Sequence, residues 1–339
     1  MNRLFIFFSA LAIAFSLTSC DNRVKPDESE SYPLAILINE GGYHSPIDMI
    51  GYNEDALELE GTSMSGANEM PPMGEFHGIF MDNAGNGYPL LSNYDMMPVI
   101  DMSRFKVIEN NILTDLSNPV AMTLAGSNMY VLNDPGTSAY ISVYSTIANY
   151  KLIAKVPVSN GGSALYVDND FMYVAGKTGI EIYGHTTHKL EKNVVTPAEP
   201  KFFMVTNLSY ITVSCPGYGL CTFDIPTQTI SDSIEVPVGP SGQMYIGKDI
   251  NDILTFTDTE VCLTNITSKS HQIIYTGKGI TGVGRSANSK YTYIAVDGGT
   301  KHLVYNDKRE KLSEFSTPAG SYNYIFTKIS DKNFNSTNY

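Results

Sequence analysis

The sequence contains six histidines, whose side chains can take part in more kinds of chemistry than the other side chains. They are His44, His77, His185, His188, His271 and His302. Only two of them are close to each other in the sequence. On a helix, the spacing of His185 and His188 could begin a metal site, but this pair falls in a predicted turn between two strands. We therefore expect a solvated turn at this position and no metal site.

Two further motifs match known sites only in part. Residues 82–87 read Asp-Asn-Ala-Gly-Asn-Gly, but Ala84 stands at the third position of a calcium loop, and Asn93 stands where a glutamate is needed. Ser103 and Lys106 have Ser-x-x-Lys spacing on a predicted turn, and no Gly-x-Ser-x-Gly motif is present. The sequence therefore predicts no catalytic residue and no cofactor, and we expect a protein that is not an enzyme.

Two cysteines could form a disulfide. Cys215 and Cys221 flank the segment Pro-Gly-Tyr-Gly-Leu, so they end and begin neighbouring strands of one predicted hairpin. A disulfide between them is reasonable in an exported protein. Two free thiols are equally compatible with the sequence, because the geometry of a cross-strand disulfide is demanding. Cys262 is predicted to be a small buried apolar residue.

The first 33 residues are predicted to lie outside the folded domain. Arg3 precedes the apolar run Leu4–Leu17, which is too short to span a membrane and leads into Leu-Thr-Ser-Cys, as in a signal peptide. This ending resembles the lipobox of bacterial lipoproteins, in which Cys20 becomes the first residue and carries the lipid. The resemblance implies a signal peptide at 1–19 and a lipidated Cys20. The alternative is an ordinary secretory signal with a chance cysteine.

The segment that follows Cys20 is polar and acidic. Asp21–Tyr32 is made mostly of Asp, Glu, Ser, Lys and Pro, which is typical of a flexible tether, and we place residues 20–33 in it. An acidic stretch directly after the cysteine resembles the export signals of lipoproteins on the outer face of the outer membrane. This resemblance implies a surface-exposed outer-membrane lipoprotein in the cell envelope.

The formal net charge of −13 excludes two kinds of partner. Nucleic-acid binding requires a basic surface for the phosphate backbone, so we expect no nucleic-acid partner. Anionic lipid head groups would repel the protein, so contact with the membrane has to come from the acyl chains on Cys20.

The segment between Asn118 and Val158 predicts four consecutive strands. It contains four short runs rich in β-branched and aromatic residues, separated by Gly, Asn, Asp, Pro and Ser. The end of its third strand recurs along the chain at intervals of 49, 43, 39, 41, 40 and 41 residues. The recurring positions are Tyr52, Asp101, Tyr144, Tyr183, Asp224, Thr264 and Tyr305.

A period of about forty residues with four strands in each unit is typical of a β-propeller. The sequence therefore predicts an all-β protein, a seven-bladed propeller of four-stranded antiparallel blades at residues 34–330. The first unit lacks an innermost strand, and Tyr322–Ile329 is a lone strand near the other end. We predict that this strand completes the first blade and closes the ring, leaving 331–339 as a tail.

The repeat resembles that of YncE-type seven-bladed propellers. The resemblance is clearest in Tyr130–Asn133, Ile141–Tyr144 and Lys151–Ile153, and the opening segment Ile38–Tyr43 (Ile-Asn-Glu-Gly-Gly-Tyr) resembles that of a subgroup of outer-membrane surface lipoproteins. Some members of this subgroup capture cobalamin and deliver it to a TonB-dependent transporter. The resemblance therefore implies a small-molecule ligand, with cobalamin as the first candidate and such a transporter as a partner.

The predicted topology brings two sets of loops to one face of the ring. One set joins the second and third strands of each blade, and the other links each blade to the next, as at Met73–His77, Asn160–Gly162 and Gly239–Gly242. We predict ligand binding on this loop face, with tyrosines for stacking and Asn and Asp for hydrogen bonds. The predicted binding residues are Tyr43, Tyr94, Asn133, Tyr140, Tyr218, Asp297 and Tyr322. The alternative is that these residue types only meet the needs of tight turns.

Three functions remain open on the sequence alone. The leading hypothesis is a lipid-anchored propeller that binds a ligand on its loop face and performs no chemistry. The second is a protein-interaction scaffold in an envelope complex. The third is a lactonase-type enzyme built from scattered polar residues around the central channel.

Overall fold

The computed structural model describes residues 35–39, 41–69, 72–81, 85–92, 97–109, 113–207, 209–286, 290–317 and 322–325. The predicted signal peptide, Cys20, the tether and the tail lie outside these residues, and their assignments stay predictions. Within the described ranges, no helix is both long enough and apolar enough to cross a membrane.

The described chain consists almost entirely of β-strands. Those up to residue 157 are β1 (Ala35–Asn39), β2 (Gly41–Pro46), β3 (Asp48–Asn53), β4 (Glu58–Ser63), β5 (Met73–Met81), β6 (Asn86–Ser92), β7 (Val99–Asp101), β8 (Lys106–Glu109), β9 (Pro119–Ala125), β10 (Asn128–Asn133), β11 (Tyr140–Ser145) and β12 (Lys151–Pro157). The following strands are β13 (Leu165–Val167), β14 (Phe171–Gly176), β15 (Gly179–Gly184), β16 (Leu190–Val195), β17 (Phe202–Asn207), β18 (Tyr210–Cys215), β19 (Gly219–Asp224), β20 (Thr229–Glu235) and β21 (Met244–Ile246). The last are β22 (Asp252–Phe256), β23 (Glu260–Asn265), β24 (Ser270–Thr276), β25 (Gly282–Arg285), β26 (Tyr291–Val296), β27 (Lys301–Asn306), β28 (Lys311–Ser316) and β29 (Tyr322–Ile325). A short helix, α1 (Met64–Ala67), follows β4, and a 3₁₀ turn (Thr146–Ala148) follows β11.

Across the described residues these strands form seven antiparallel sheets, which are the blades of a β-propeller. Blades 3 to 7 each take four consecutive strands, beginning with β9, β13, β17, β21 and β25. In blades 3 to 7 the first strand is innermost and packs beside the innermost strand of a neighbouring blade. Six of the seven predicted third-strand positions lie in the third strand of their blade, and Asp101 lies in β7, the fourth of the five strands of blade 2. The predicted fold class is therefore confirmed.

The ring closes between the two ends of the described chain. In blade 1 the strand order is β29-β1-β3-β4, so β29 near the C-terminus is the innermost strand of the first blade. Its residues Tyr322 to Ile325 pair with Asn39 to Ile36 of β1. The predicted closure by the C-terminal strand is confirmed.

Blade 2 carries one strand more than the repeat predicts. The additional strand is β2 (Gly41–Pro46), which lies on the axial edge of β5. Gly41 pairs with Glu75 and Gly42 with Gly74. The two glycines hide this strand from a sequence-based prediction, because glycine has little intrinsic β-propensity.

Burial explains why some strand sequences are uniformly apolar and others alternate. In β10 every residue after Asn128 is buried, because the strand has a blade on either side. In the outermost strand β12, exposed Lys151 and Lys155 alternate with more protected residues. A strand covered on both faces needs apolar residues throughout, whereas an edge strand needs them on one face and charges against edge-to-edge pairing.

Apolar clusters of described residues fill the seven interfaces between neighbouring blades. In β1, Ile36 and Ile38 pack toward blade 2, while Leu37 between them packs toward blade 7. This alternation follows from the two-residue period of a strand. Each blade therefore contributes one face to each of two inter-blade cores. Neither core is complete without the neighbouring blade.

Aromatic contacts join blades 7 and 1 at the point where the ring closes. The ring of Tyr52 stacks on Phe315 at a centroid distance of 4.6 Å and meets Tyr293 edge-on at 5.6 Å. The Tyr293 hydroxyl donates to Glu54 Oε1 at 2.6 Å. Burial raises the pKa of the Glu54 carboxyl, because a charged carboxylate is poorly solvated there.

His302, also in blade 7, is fully buried. Its imidazole stacks on Phe315 at 4.9 Å, and Nε2 lies 2.9 Å from Thr317 Oγ1. Burial lowers the pKa of His302 to about 4, although a hydrogen bond with the Gly299 backbone opposes this effect. The imidazole is therefore neutral in the folded protein at physiological pH.

We expect His302 to make the protein sensitive to acid. The unfolded chain takes up a proton near pH 6.5, whereas the folded chain takes one up only near pH 4. The unfolded state thus binds more protons between these values, and the free energy of unfolding falls as the pH falls through this range. With about 1.4 kcal/mol for each pKa unit, the loss approaches about 3 kcal/mol at pH 4. Denaturant unfolding at pH 7, 6, 5 and 4 measures this loss.

His302→Phe keeps a flat ring against Phe315 and should remove most of this pH dependence. The matched control is His188→Asn, since His188 is exposed in a turn at φ 55°, a conformation that asparagine tolerates. It should leave the slope unchanged. An equal slope in His302→Phe and the unmodified protein would contradict the prediction.

Candidate functional site

A cavity of about 330 Å³ lies on the propeller axis, where the innermost strands begin. Blades 2 to 6 contribute described lining residues, from β5 in blade 2 and, in blades 3 to 6, from the start of the innermost strand or the link before it. These are Glu75, Phe76, His77, Val120, Ala121, Met122, Gly162, Ser163, Ala164, Leu165, Lys201, Phe202, Phe203, Ser241 and Gln243. The cavity opens on the face that receives the inter-blade links, which is the predicted loop face.

Charged and polar groups of the cavity come from four different blades. Lys201 is half-buried, and its Nζ lies 2.6 Å from Glu199 Oε1. Gln243 is half-buried as well, and its backbone N–H donates to Ser241 Oγ at 3.3 Å. The Ser163 hydroxyl donates to the Pro200 carbonyl at 3.1 Å. The Lys201 ammonium group is therefore held by a local contact, and Gln243 lines the same cavity.

His77 adds a neutral imidazole to this cavity. Burial lowers the pKa of His77, and the nearby Glu75 carboxylate only partly offsets the effect. A neutral imidazole can accept a hydrogen bond at one nitrogen and donate at the other. In the part of the chain that the structure describes, no group of three or more His, Cys, Asp or Glu side chains is placed to hold a metal ion.

The walls of the cavity are apolar. Phe76, Phe203 and Met122 are buried in the inter-blade cores, and Val120 and Phe202 are partly buried beside them. Apolar walls with a few convergent polar groups are typical of small-molecule sites. The arrangement can hold a compact ligand with an apolar body and an anionic or hydrogen-bonding group that faces Lys201, His77 and Gln243.

Two of the predicted binding residues stabilise the loop face of blade 3. Asn133 is fully buried, accepts from the Ser117 backbone N–H at 2.9 Å and donates to the Val131 carbonyl at 3.0 Å. The Tyr140 hydroxyl donates to the Asp115 carbonyl at 3.1 Å, and Lys155 Nζ lies 5.1 Å above its ring. Both side chains hold the link between blades 2 and 3, and neither lines the cavity.

Two other predicted binding residues lie in separate blades. Tyr218 in blade 5 lies 2.9 Å from Ser233 Oγ through its hydroxyl, and Asp297 in blade 7 is exposed. Neither lines the cavity. Tyr94 and the side chains of Tyr43 and Tyr322 lie outside the described residues. Ligand binding by these seven residues stays a prediction.

The backbone of β2 brings Gly41 and Gly42 of the Asn-Glu-Gly-Gly-Tyr segment to the edge of the cavity. Gly41 pairs with Glu75, which is itself a lining residue. The segment that carries the resemblance to surface lipoproteins therefore lies beside the axial site, and not among the outer loops.

The structure shows the predicted cysteine pair as two free thiols. Cys215 and Cys221 are buried, and their Sγ atoms lie 3.8 Å apart on the neighbouring strands β18 and β19. They stand diagonally, because Cys215 pairs with Gly219 and Cys221 with Val213. A disulfide between them stays a prediction. Cys262 is fully buried, as predicted.

The cavity lies on the predicted loop face, but most of its lining residues were not among the predicted binding residues. The predicted links Met73–His77, Asn160–Gly162 and Gly239–Gly242 do reach the cavity, whereas Lys201 and Gln243 were not identified. The sequence did contain a signal for these lining residues. The residues directly after each inter-blade link begin an inner strand, so they lie near the propeller axis.

No protein-family model matches the chain, and no curated protein matches it. Solved structures with a similar fold include hydrazine synthase of Kuenenia stuttgartiensis, with a TM-score of 0.57 and 13% identity over 72% of this chain and 87% of that chain. The dihydro-heme d1 dehydrogenase NirN in complex with DHE has a TM-score of 0.62 and 13% identity, covering 90% of this chain and 77% of that chain. A functionally unknown protein from Desulfotomaculum acetoxidans DSM 771 has a TM-score of 0.61 and 9% identity, covering 85% and 97%. At these identities the similarity concerns the fold, and the fold is a β-propeller.

Proposed function

We propose that this protein binds a small ligand in its axial cavity and performs no chemistry on it. The observation that carries the proposal is the convergence of Lys201, His77 and Gln243 from three blades on one apolar-walled cavity. The two serines of the cavity hydrogen-bond to neighbouring backbone groups, Ser163 to a carbonyl and Ser241 to an N–H. This favours binding over nucleophilic catalysis, in which a serine hydroxyl contacts a general base.

The size of the cavity bears on the identity of the ligand. Small-molecule pockets span about 300–1,000 Å³, so a cavity of about 330 Å³ is at the lower end. A corrinoid is too large to enter it completely and would rest on the loop face, with one substituent inserted toward Lys201. NirN, which is similar to this chain in fold, is described in complex with DHE. This is consistent with ligand binding by the architecture and says nothing about the ligand of this chain.

At the level of the cell, we propose a lipoprotein anchored through Cys20 on the outer membrane. It would capture cobalamin or another corrinoid and deliver it to a TonB-dependent transporter. The support for this form is the lipobox-like Leu-Thr-Ser-Cys, the acidic tether and the Asn-Glu-Gly-Gly-Tyr segment. The position of that segment beside Glu75, at the cavity, agrees with a role in capture.

Titration of the detergent-solubilised full chain with cyanocobalamin in a calorimeter tests the ligand. Lys201→Met should weaken binding about tenfold, the effect of losing one charge-assisted hydrogen bond. The matched control is Lys269→Met, because Lys269 forms a similar exposed ion pair with Asp232 at 2.6 Å, away from the cavity. It should bind like the unmodified protein.

Two outcomes contradict different parts of this proposal. Absence of heat and of a thermal shift at micromolar cyanocobalamin excludes the corrinoid. Binding that Lys201→Met and Lys269→Met weaken equally excludes the axial cavity as the site. Co-purification of a transporter with a ligand-free protein would favour the protein-interaction scaffold instead.

A further inference from the structure

A second cavity lies between blades 6 and 7, on the face opposite the axial site. It has a volume of about 180 Å³ and is lined by the ends of innermost strands and by the turn between β27 and β28. The lining residues are Lys248, Asp252, Leu254, Leu263, Ile274, Arg285, Thr292, Ile294, Tyr305, Asn306, Asp307 and Arg309. We call it the cationic cleft.

Positive charge is concentrated in the cationic cleft although the protein is strongly acidic. The chain has a net charge of −13, yet two of the three arginines that the structure describes, Arg285 and Arg309, line this cleft. Lys248 adds a third cation, against the two carboxylates of Asp252 and Asp307. The cleft therefore has a net positive charge although the protein is acidic. A positively charged cleft attracts small anions.

Two of these cations, Arg285 and Lys248, contact one carboxylate, that of Asp307. An Arg285 guanidinium nitrogen forms an ion pair with Asp307 Oδ1, and Lys248 Nζ lies 3.5 Å from Asp307 Oδ2. The Arg285 side chain is only 10% exposed, and its Nη1 donates to Thr292 Oγ1 at 3.3 Å. Arg285 is thus held in place, whereas Asp307 stands on a turn and is 42% exposed.

The turn that carries Asp307 is stabilised independently of the Asp307 side chain. Asn306 Oδ1 accepts from the backbone N–H groups of Lys308 and Glu310, each at 2.9 Å. Below the charges, the floor of the cleft is apolar, with Leu254 and Ile294 buried and Tyr305 half-buried. The cleft therefore combines an anion position with an apolar surface next to it.

We propose that the cationic cleft binds a small organic anion, a carboxylate or phosphate on an apolar body. The anionic group takes the position of the Asp307 carboxylate between Arg285 and Lys248, in a cleft that Arg309 also lines. Guanidinium groups suit both anions, because they donate two parallel hydrogen bonds. The apolar body packs on Leu254 and Ile294, and the Asp307 carboxylate competes for the site in the empty protein.

Calorimetric titration of the full chain with benzoate, phenyl phosphate, inorganic phosphate and neutral benzyl alcohol tests this proposal. We expect binding of benzoate or phenyl phosphate at least about tenfold tighter than that of benzyl alcohol. The tighter of the two organic anions identifies the head group, and inorganic phosphate measures the contribution of the anion alone. Equal affinity for the neutral and anionic probes would overturn the proposal.

Three variants separate the site from nonspecific attraction of anions. Asp307→Asn removes the internal competitor and should tighten benzoate binding several-fold, whereas Arg309→Gln should weaken it about tenfold. Lys308→Gln is the matched control, since it changes an exposed cation of the same turn that does not line the cleft. Weakening of binding by Asp307→Asn, or equal weakening by Arg309→Gln and Lys308→Gln, would also overturn the proposal. A fourth variant, Lys201→Met, distinguishes the two cavities, because the axial cavity can also hold an organic anion; benzoate binding that only Lys201→Met weakens would belong to the axial cavity and overturn the proposal.

Discussion

Removal of residues 322–339 should leave a chain that does not fold cooperatively. The deletion takes away β29, which pairs with β1 over four residues and packs beside β25 of blade 7. Blade 1 would lose its innermost strand, and the apolar residues on both sides of the seam between blades 7 and 1 would become exposed. We expect a loss comparable with the whole stability of a typical domain, about 5–15 kcal/mol. Far-ultraviolet circular dichroism during thermal unfolding measures it.

The control for this deletion is removal of residues 331–339 alone. The sequence predicts a tail there, so this shorter deletion should unfold at nearly the same temperature as the full chain. Cooperative unfolding of the 322–339 deletion at the temperature of the control would show that ring closure by β29 is dispensable.

Gly219→Ala should destabilise blade 5 by about 3 kcal/mol or more. Gly219 begins β19 with φ +149°, and an added Cβ would lie 2.1 Å from the Ile234 carbonyl oxygen and 2.7 Å from the Val236 nitrogen. Both contacts are backbone atoms of the adjacent outer strand and the residue after it, so no side-chain rotation relieves them. The strand pair β19–β20 would have to separate locally. Denaturant unfolding monitored by tyrosine fluorescence measures the loss.

Gly217→Ala, two residues earlier in the same hairpin, is the matched control. Gly217 has φ +84°, and an added Cβ there meets nothing within 4 Å. It should cost about 1–2 kcal/mol, the penalty of a left-handed conformation for alanine. If both variants lose the same stability, then the close approach of β20 does not matter, and the conformational term alone explains the loss.

The fold was predictable because it repeats. The sequence shows alternating strand patterns, turn residues between the strands and a unit of about forty residues. This unit recurs seven times. Closure by Tyr322–Ile325 was predictable for a related reason, since a lone strand near one end matches a missing strand at the other. The strand β2 was missed because Gly41 and Gly42 carry no strand signal, and the neighbouring blade alone supplies the pairing partner.

The sites were predictable only in part. Choosing tyrosines and asparagines on the loop face selected residues such as Asn133 and Tyr140, whose polar atoms hold the adjacent link. The same residue types serve turns and ligands, so composition does not separate the two roles. The cationic cleft left no signal at all, because Lys248, Arg285 and Arg309 come from separate parts of the chain.

By itself, the sequence determined the number of blades, the strand order of every blade except blade 2, and the seam of the ring, because these depend on local patterns that the blades repeat. Only the tertiary structure decided which side chains meet on the axis and between blades 6 and 7. His77 and Gln243 are more than a hundred residues apart in the sequence. Closure of the ring places them, together with Lys201, around one cavity. The alternation within a strand specifies which side chains are buried. The residues that pack against these side chains come from other blades.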